Sequence, residues 1–275
     1  GYKVSTFDPQ KKSLSLINKK EIGVIFNALH GKDGEDGVAQ SYFESLRIPY
    51  THSGVISSYN AMNKVISKEI FKKNRIISPA YFVFEKKNFN KTKLNKSIKI
   101  KKIKFPIVVK PTNEGSSIGV RICKNIQDLN KFSKSLFRKH TELIFEPYIG
   151  GQEIQVAVIN GTPLGAIELE PKRKFYDYKA KYSKAAKTKH IMPANLTRYK
   201  YQEVLQIAKK ANDVLGCKGI TRSDFKFFKN KFYLLEINTQ PGMTNLSLVP
   251  EIAEYKGISF KNLVKKILLN ASLNK

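Results

Sequence analysis

The segment Leu234-Leu235-Glu236-Ile237-Asn238-Thr239-Gln240-Pro241-Gly242 constrains this chain more than any other stretch. An apolar strand rarely carries a carboxylate and an amide two residues apart, and a side-chain period of 2 points Glu236 and Asn238 to one face. Upstream, Ile220-Thr221-Arg222-Ser223-Asp224-Phe225 repeats the device and sets Arg222 and Asp224 on one face of a second strand. The link Phe228-Lys229-Asn230-Lys231 contains turn residues, so the two strands are expected to form a hairpin. Asp224, Glu236 and Asn238 then converge. Three hard oxygen donors with no His or Cys nearby suit magnesium, which keeps waters and binds substrate phosphates. The bland alternative is an amphipathic hairpin facing solvent. Buried carboxylates need a counter-charge, however, and Arg222 and the turn-forming Pro241-Gly242 lie beside the cluster.

A length of 275 residues allows two domains and a sizeable core. No apolar run approaches the roughly 18 residues of a membrane span, and no secretory leader is expected. Cys123 and Cys217 lie far apart without metal spacing, which favours a reduced, cytoplasmic protein. The net charge of +28 invites a nucleic-acid role, yet the 50 basic residues include only seven arginines. Specific readers of base edges and phosphates use arginine, so no specific nucleic-acid partner is expected. Much of the lysine excess falls in residues 86–104, which read as a solvated loop.

Along the chain, residues 22–29 have the profile of a buried parallel strand, followed by the loop Gly31-Lys32-Asp33-Gly34-Glu35-Asp36-Gly37 and a helix to Leu46. Residues 59–74 read as one helix with Met62, Val65, Ile66 and Ile70 on one face. Strands are expected at 80–84, 106–110, 118–122, 143–146, 153–159 and 164–168, with a helix over 126–137. Thr197 is placed to cap a helix that Gly216 stops, and helical patterns close the chain. The fold class is α/β, or mixed α+β.

A second group carries nucleotide chemistry. Lys110 ends an apolar strand and needs an anion, for which phosphate is the natural partner. The loop Asn113-Glu114-Gly115-Ser116-Ser117-Ile118-Gly119-Val120 follows, with glycines that let backbone amides approach phosphates. Glu146-Pro147-Tyr148-Ile149 then offers a strand end for a base, and Glu153 a carboxylate for ribose hydroxyls.

The order lysine strand, glycine loop, carboxylate hinge and metal hairpin resembles the ATP-grasp superfamily. The finer motifs are similar to the D-alanine–D-alanine ligases: Asn27-Ala28-Leu29-His30-Gly31, Ile48-Pro49-Tyr50-Thr51-His52-Ser53-Gly54, Glu114-Gly115-Ser116-Ser117, Tyr176-Asp177-Tyr178-Lys179-Ala180-Lys181-Tyr182, Arg222-Ser223-Asp224 and Glu236 to Thr244. The resemblance covers nearly the whole chain. It implies an ATP-grasp fold preceded by a partial Rossmann-like N-terminal domain. Residues 1–58 would form that partial substrate-binding unit, 59–150 the central lobe, and 151–275 the C-terminal lobe with lid and metal site.

The implied reaction is ATP-driven joining of two D-alanines through an acylphosphate, for peptidoglycan. By the resemblance, Lys64 and Lys110 contact ATP phosphates, Glu146 and Ile149 hold adenine, and Glu153 holds ribose. Asp224, Glu236 and Asn238 bind two magnesium ions, with manganese as a substitute. Arg222 and the Gly242 amide stabilise the developing oxyanion. Lys181, Ser247 and the Leu248 amide receive the second D-alanine, and Glu35 orients His30 near the substrates. Residues 176–190 form a lid whose Tyr182 meets Ser116 on closure, a tyrosine that goes with an amine acceptor rather than D-lactate. A homodimer is implied as well. The alternatives are an ATP-grasp ligase with another acceptor, or an impaired nucleotide binder.

Three departures from the family pattern stand out. The match starts at the family's second strand, so a leading strand, loop and helix with a substrate-binding glutamate is expected to be absent, leaving a chain that binds ATP but turns over poorly. Lys179 replaces a usually acidic lid residue. Pro147 lacks an N–H, which leaves adenine to the backbone of Tyr148 and Ile149.

Overall fold

The computed structural model describes residues 2–115, 118–171, 188–244 and 247–273. Two antiparallel sheets organise them. The first runs in the order β1-β4-β2-β3, with β1 Phe82–Glu85, β2 Ile107–Pro111, β3 Arg121–Cys123 and β4 Glu142–Pro147. The second runs β7-β6-β5-β8-β9, with β5 Gln152–Ile159, β6 Thr162–Glu170, β7 Lys189–Ile191, β8 Ile220–Phe228 and β9 Lys231–Asn238.

Helices α4 (Lys91–Ile100) and α5 (Ile126–Leu136) cover the first sheet through Leu94, Leu129 and Leu136, which share a core with Ile107, Val109 and Phe145. The second sheet is covered on both faces. One face packs α6 (Arg198–Val214) and Phe71 of α3 (Lys64–Lys73) against Ile154, Val156, Phe225 and Leu234. The other packs α7 (Leu248–Tyr255) and α8 (Phe260–Leu269) against Ala157, Ile167 and Ile220. A smaller core joins Ala39 and Phe43 of α1 (Val38–Leu46) to Tyr50. Helix α2 spans Val55–Met62.

Local chemistry explains these elements. Lys229 and Asn230 adopt positive φ of 47° and 61°, the backbone that closes a two-residue hairpin between β8 and β9. The Thr197 hydroxyl accepts from the Lys200 amide and caps α6, and Gly216 follows that helix at φ 68°. Gly151 joins the two sheets at φ 81°, and a Cβ there would lie 2.1 Å from the Phe227 carbonyl oxygen. Gly151→Ala is therefore expected to destabilise the fold by about 1–3 kcal/mol from backbone strain alone. Thermal unfolding of Gly151→Ala and Gly257→Ala against the unaltered chain checks this: Gly257 shares the positive φ but has nothing within 4 Å, so it reads the strain, and the extra loss at Gly151 reads the clash.

The structure corrects several expectations. Residues 22–29 form no ladder; Ile25 makes a single parallel bridge to Tyr50. The neighbouring Pro49 has no N–H to extend the pairing. The helix expected over 59–74 is two helices broken at Asn63, whose side chain accepts from Val65 and Ile66 amides and starts α3. The buried stripe of α3 is Lys64, Ser67, Lys68 and Phe71, not Val65, Ile66 and Ile70. Residues 86–104 are not a plain loop: Asn90 caps α4, and Leu94 is fully buried. No helix among the described residues is long and apolar enough to cross a membrane.

Candidate functional site

The β8–β9 hairpin sets the site's floor. Arg222 lies opposite Asn238 and Asp224 opposite Glu236, and the register shifts immediately after Asp224. Phe225 then pairs with Leu234, so Leu235 is an extra residue in β9. The bulge lets Phe225, Leu234 and Ile237 enter the core while the polar side chains stay together.

The carboxylates are held by cations. Arg222 clamps Asp224 with two bonds, Nε to Oδ1 at 2.7 Å and Nη2 to Oδ2 at 3.0 Å. Lys64 Nζ lies 3.6 Å from Glu236 Oε2 and donates to the Glu114 carbonyl. Burial pushes the Lys64 ammonium below its ordinary range, and Glu236 opposes that shift. Asn238 Oδ1 accepts from the Gln240 amide at 2.8 Å, a bond that leaves its second lone pair available.

Between the sheets lies an open cleft of about 860 Å³. Lys110 and Glu146 line it from the first sheet, Glu153, Asp224 and Glu236 from the second, and Lys64 from α3. Its apolar walls include Val108, Ile118, Ile149 and Leu235. A cavity of about 480 Å³ adjoins it, sharing Lys64, Glu114 and Glu236 and adding Glu35, Gly115, Arg222 and Asn238. Both spaces set charged side chains beside apolar walls, the lining typical of ligand sites.

The other expected residues fall as follows. Glu146 is buried, with Lys110 Nζ 2.8 Å from Oε2 and Lys68 Nζ 2.8 Å from Oε1. Glu153 pairs with Lys226 at 3.0 Å. The Tyr148 amide donates to the Pro106 carbonyl at 2.9 Å, and Tyr148 and Ile149 both line the cleft. His30 Nδ1 is 3.8 Å from Glu35 Oε2, beyond hydrogen-bond length, and that buried oxygen has no hydrogen-bond partner among the described residues. The Ser247 hydroxyl accepts from the Thr244 amide at 3.0 Å and sits where a Cβ on Gly242 would approach to 2.8 Å. Leu248 opens α7 with its amide at the helix N-terminus. Ser116, Lys181, Tyr182 and most of the expected lid lie outside the described residues.

Sequence reasoning missed Lys68, Lys226 and Glu114. For Lys68 a signal existed: it follows Lys64 by one helical turn and shares its face. Among the described residues no three His, Cys, Asp or Glu side chains cluster as a metal site. Asp224 and Glu236 face each other across the hairpin with Asn238 two residues along, oxygen donors of the kind that would suit magnesium.

A cleft between two antiparallel sheets, with buried lysines on one side and a carboxylate hairpin on the other, is the plan of an ATP-grasp ligase. Residues 70–269 match the family described as D-ala D-ala ligase C-terminus. The chain is 54% identical to the D-alanine–D-alanine ligase of Pelagibacter ubique over 100% of its length and 89% of that protein. It is 40% identical to that of Geotalea uraniireducens, over 99% and 86%. Among solved structures, the D-alanine–D-alanine ligase from Bacillus anthracis superposes with a TM-score of 0.83 at 34% identity, covering 94% of this chain and 83% of that one. The same enzyme complexed with ATP gives 0.78, over 91% and 80%. This chain belongs to the D-alanine–D-alanine ligase family.

Proposed function

We propose that the chain activates the carboxylate of one D-alanine with ATP and transfers the acyl group to the amine of a second. The observation that carries this reading is the facing of Asp224 and Glu236 across one hairpin, at the edge of a cleft that Lys64 and Lys110 also enter.

Phosphoryl transfer asks for positioning and charge neutralisation more than covalent help. Lys64 and Lys110 take the ATP phosphates, Ile149 and the Glu146 end of β4 the adenine, and Glu153 the ribose. Two magnesium ions fall to Asp224, Glu236 and Asn238, and when bound they offset phosphate charge. Manganese would serve by the same ligand chemistry. The bound phosphates give Lys64 an alternative to Glu236, and Arg222 gains one to Asp224 when the substrate carbonyl develops negative charge.

When the amine attacks the acylphosphate, the carbonyl oxygen becomes an oxyanion, and Arg222 with the Gly242 amide faces it. Lys181, Ser247 and the Leu248 amide hold the second D-alanine's carboxylate; a free amide at a helix N-terminus suits an anion. His30 and Glu35 border the reacting substrates. We place the division of labour in three parts: residues 1–58 for substrate, 59–150 for nucleotide and 151–275 for metal. The enzyme works as a cytoplasmic homodimer.

The test supplies the full chain with ATP, magnesium and a panel of acceptors, following phosphate release and dipeptide by mass. D-alanyl-D-alanine, with one phosphate per dipeptide at whatever rate, is the expected product. A preference for D-lactate, or ATP hydrolysis that ignores D-alanine, would overturn the reading.

A further inference from the structure

Lys68 is the most buried charge in the molecule's nucleotide half and none of the expected roles uses it. Its side chain has 0% exposure. Its ammonium reaches Glu146 Oε1 at 2.8 Å and donates to the Pro79 carbonyl at 3.2 Å, and it lies 5.7 Å from the centre of the Tyr81 ring. An ammonium so desolvated is costly unless every such contact compensates it. Lys68 does not line the nucleotide cleft. It borders a groove that also carries Lys72 and Arg75, and Glu146 faces the cleft in front of it.

We infer that Lys68 is a positioning residue of the nucleotide site, holding the Glu146 carboxylate from behind so that Lys110 remains available to a polyphosphate. The inference rests on the reading that the cleft binds ATP. With Lys110 as its sole counter-ion, Glu146 would be left as a bare buried anion whenever Lys110 turned to phosphate. That penalty would oppose nucleotide binding. With two lysines on one carboxylate, the cluster carries one net positive charge. Lys110 can then share itself with an incoming anion while Lys68 keeps Glu146 compensated. Burial drives the Lys68 ammonium below its ordinary range, and Glu146 pulls against that shift.

The role makes a selective demand. Lys68 should matter for phosphates far more than for the sugar or for a base met by the backbone at the Glu146 end of β4. Calorimetric titration of the full chain with ATP, ADP and adenosine, in magnesium, compares it with Lys68→Met, which keeps the side chain's length and removes its charge. ATP and ADP should bind about tenfold more weakly, the size of one lost charge contact. Adenosine should bind within about twofold of the unaltered chain, a change too small to count as a lost contact. If Lys68→Met does not fold, Lys68→Gln, whose amide still bonds the Pro79 carbonyl, gives the same comparison. Equal losses for all three ligands would reduce Lys68 to a strut and overturn the inference, as would no loss for any. Failure of the unaltered chain to bind ATP would instead sink the functional reading on which it rests.

Discussion

Asp224→Asn is expected to cut D-alanine-dependent phosphate release by a factor on the order of 10²–10³, the range seen when one preorganised electrostatic contact to a developing charge is removed. The side chain keeps its size, so the β8–β9 ladder and the bulge after Asp224 persist. What changes is charge: the proposed magnesium set loses one of its two carboxylates, and Arg222 loses the bidentate partner that holds its guanidinium at 2.7 and 3.0 Å. An amide oxygen can accept one of those two bonds but cannot neutralise the cation. Raising magnesium should recover part of the rate, because the proposed metal set would bind its ions more weakly. The measurement is a phosphate-release titration over magnesium at saturating ATP and D-alanine. A rate within about threefold of the unaltered chain, too small for a lost metal ligand, would remove Asp224 from the proposed metal set.

The hairpin was legible because three local rules agree there. Alternation fixed which side chains share a face, the Lys229-Asn230 turn fixed the register, and hard oxygens on one face suggested the ligand. The extra residue Leu235 was not legible, since a bulge depends on what the neighbouring strand offers. Helix α3 failed for a related reason. Its Val65, Ile66 and Ile70 look like a core stripe, but the face that turns inward carries Lys64 and Lys68, which only counter-charges from β4 and β9 make tolerable. Glu146 is far from Lys68 in sequence, and no local pattern couples them. Asn63 and Asn90 acted as caps through side-chain bonds that a reading of apolar spacing ignores. The same blindness hid the Lys226–Glu153 pair, although the two strands that carry it were both expected.

Glu146→Leu should be the most destabilising single change in the nucleotide half, costing about 3–5 kcal/mol, the usual penalty for leaving a buried charge without its partner. The leucine fills nearly the same volume, so loss of packing is not the cause. Lys68, at 0% exposure, would keep only the Pro79 carbonyl and the Tyr81 ring and would have to shed its proton or draw in water. Chemical denaturation at neutral pH reads the cost. The pH dependence supplies a second check. Burial alone pushes the Glu146 carboxyl up, but Lys110 and Lys68 outweigh it and hold it below the ordinary carboxylate range. A carboxyl depressed in the folded state contributes stability that is complete above its unfolded value and fades as pH falls through the folded one. The unaltered chain should therefore lose more stability on acidification than a variant with apolar residues at both positions 146 and 68, because Glu146→Leu alone leaves Lys68 with an acid sensitivity of its own. The decisive comparison is the double variant Glu146→Leu with Lys68→Met. An apolar pair of similar volume replaces an ion pair at little cost, so the second substitution should restore about 2 kcal/mol or more of what the first removes. Additive losses would mean that the two side chains do not depend on each other.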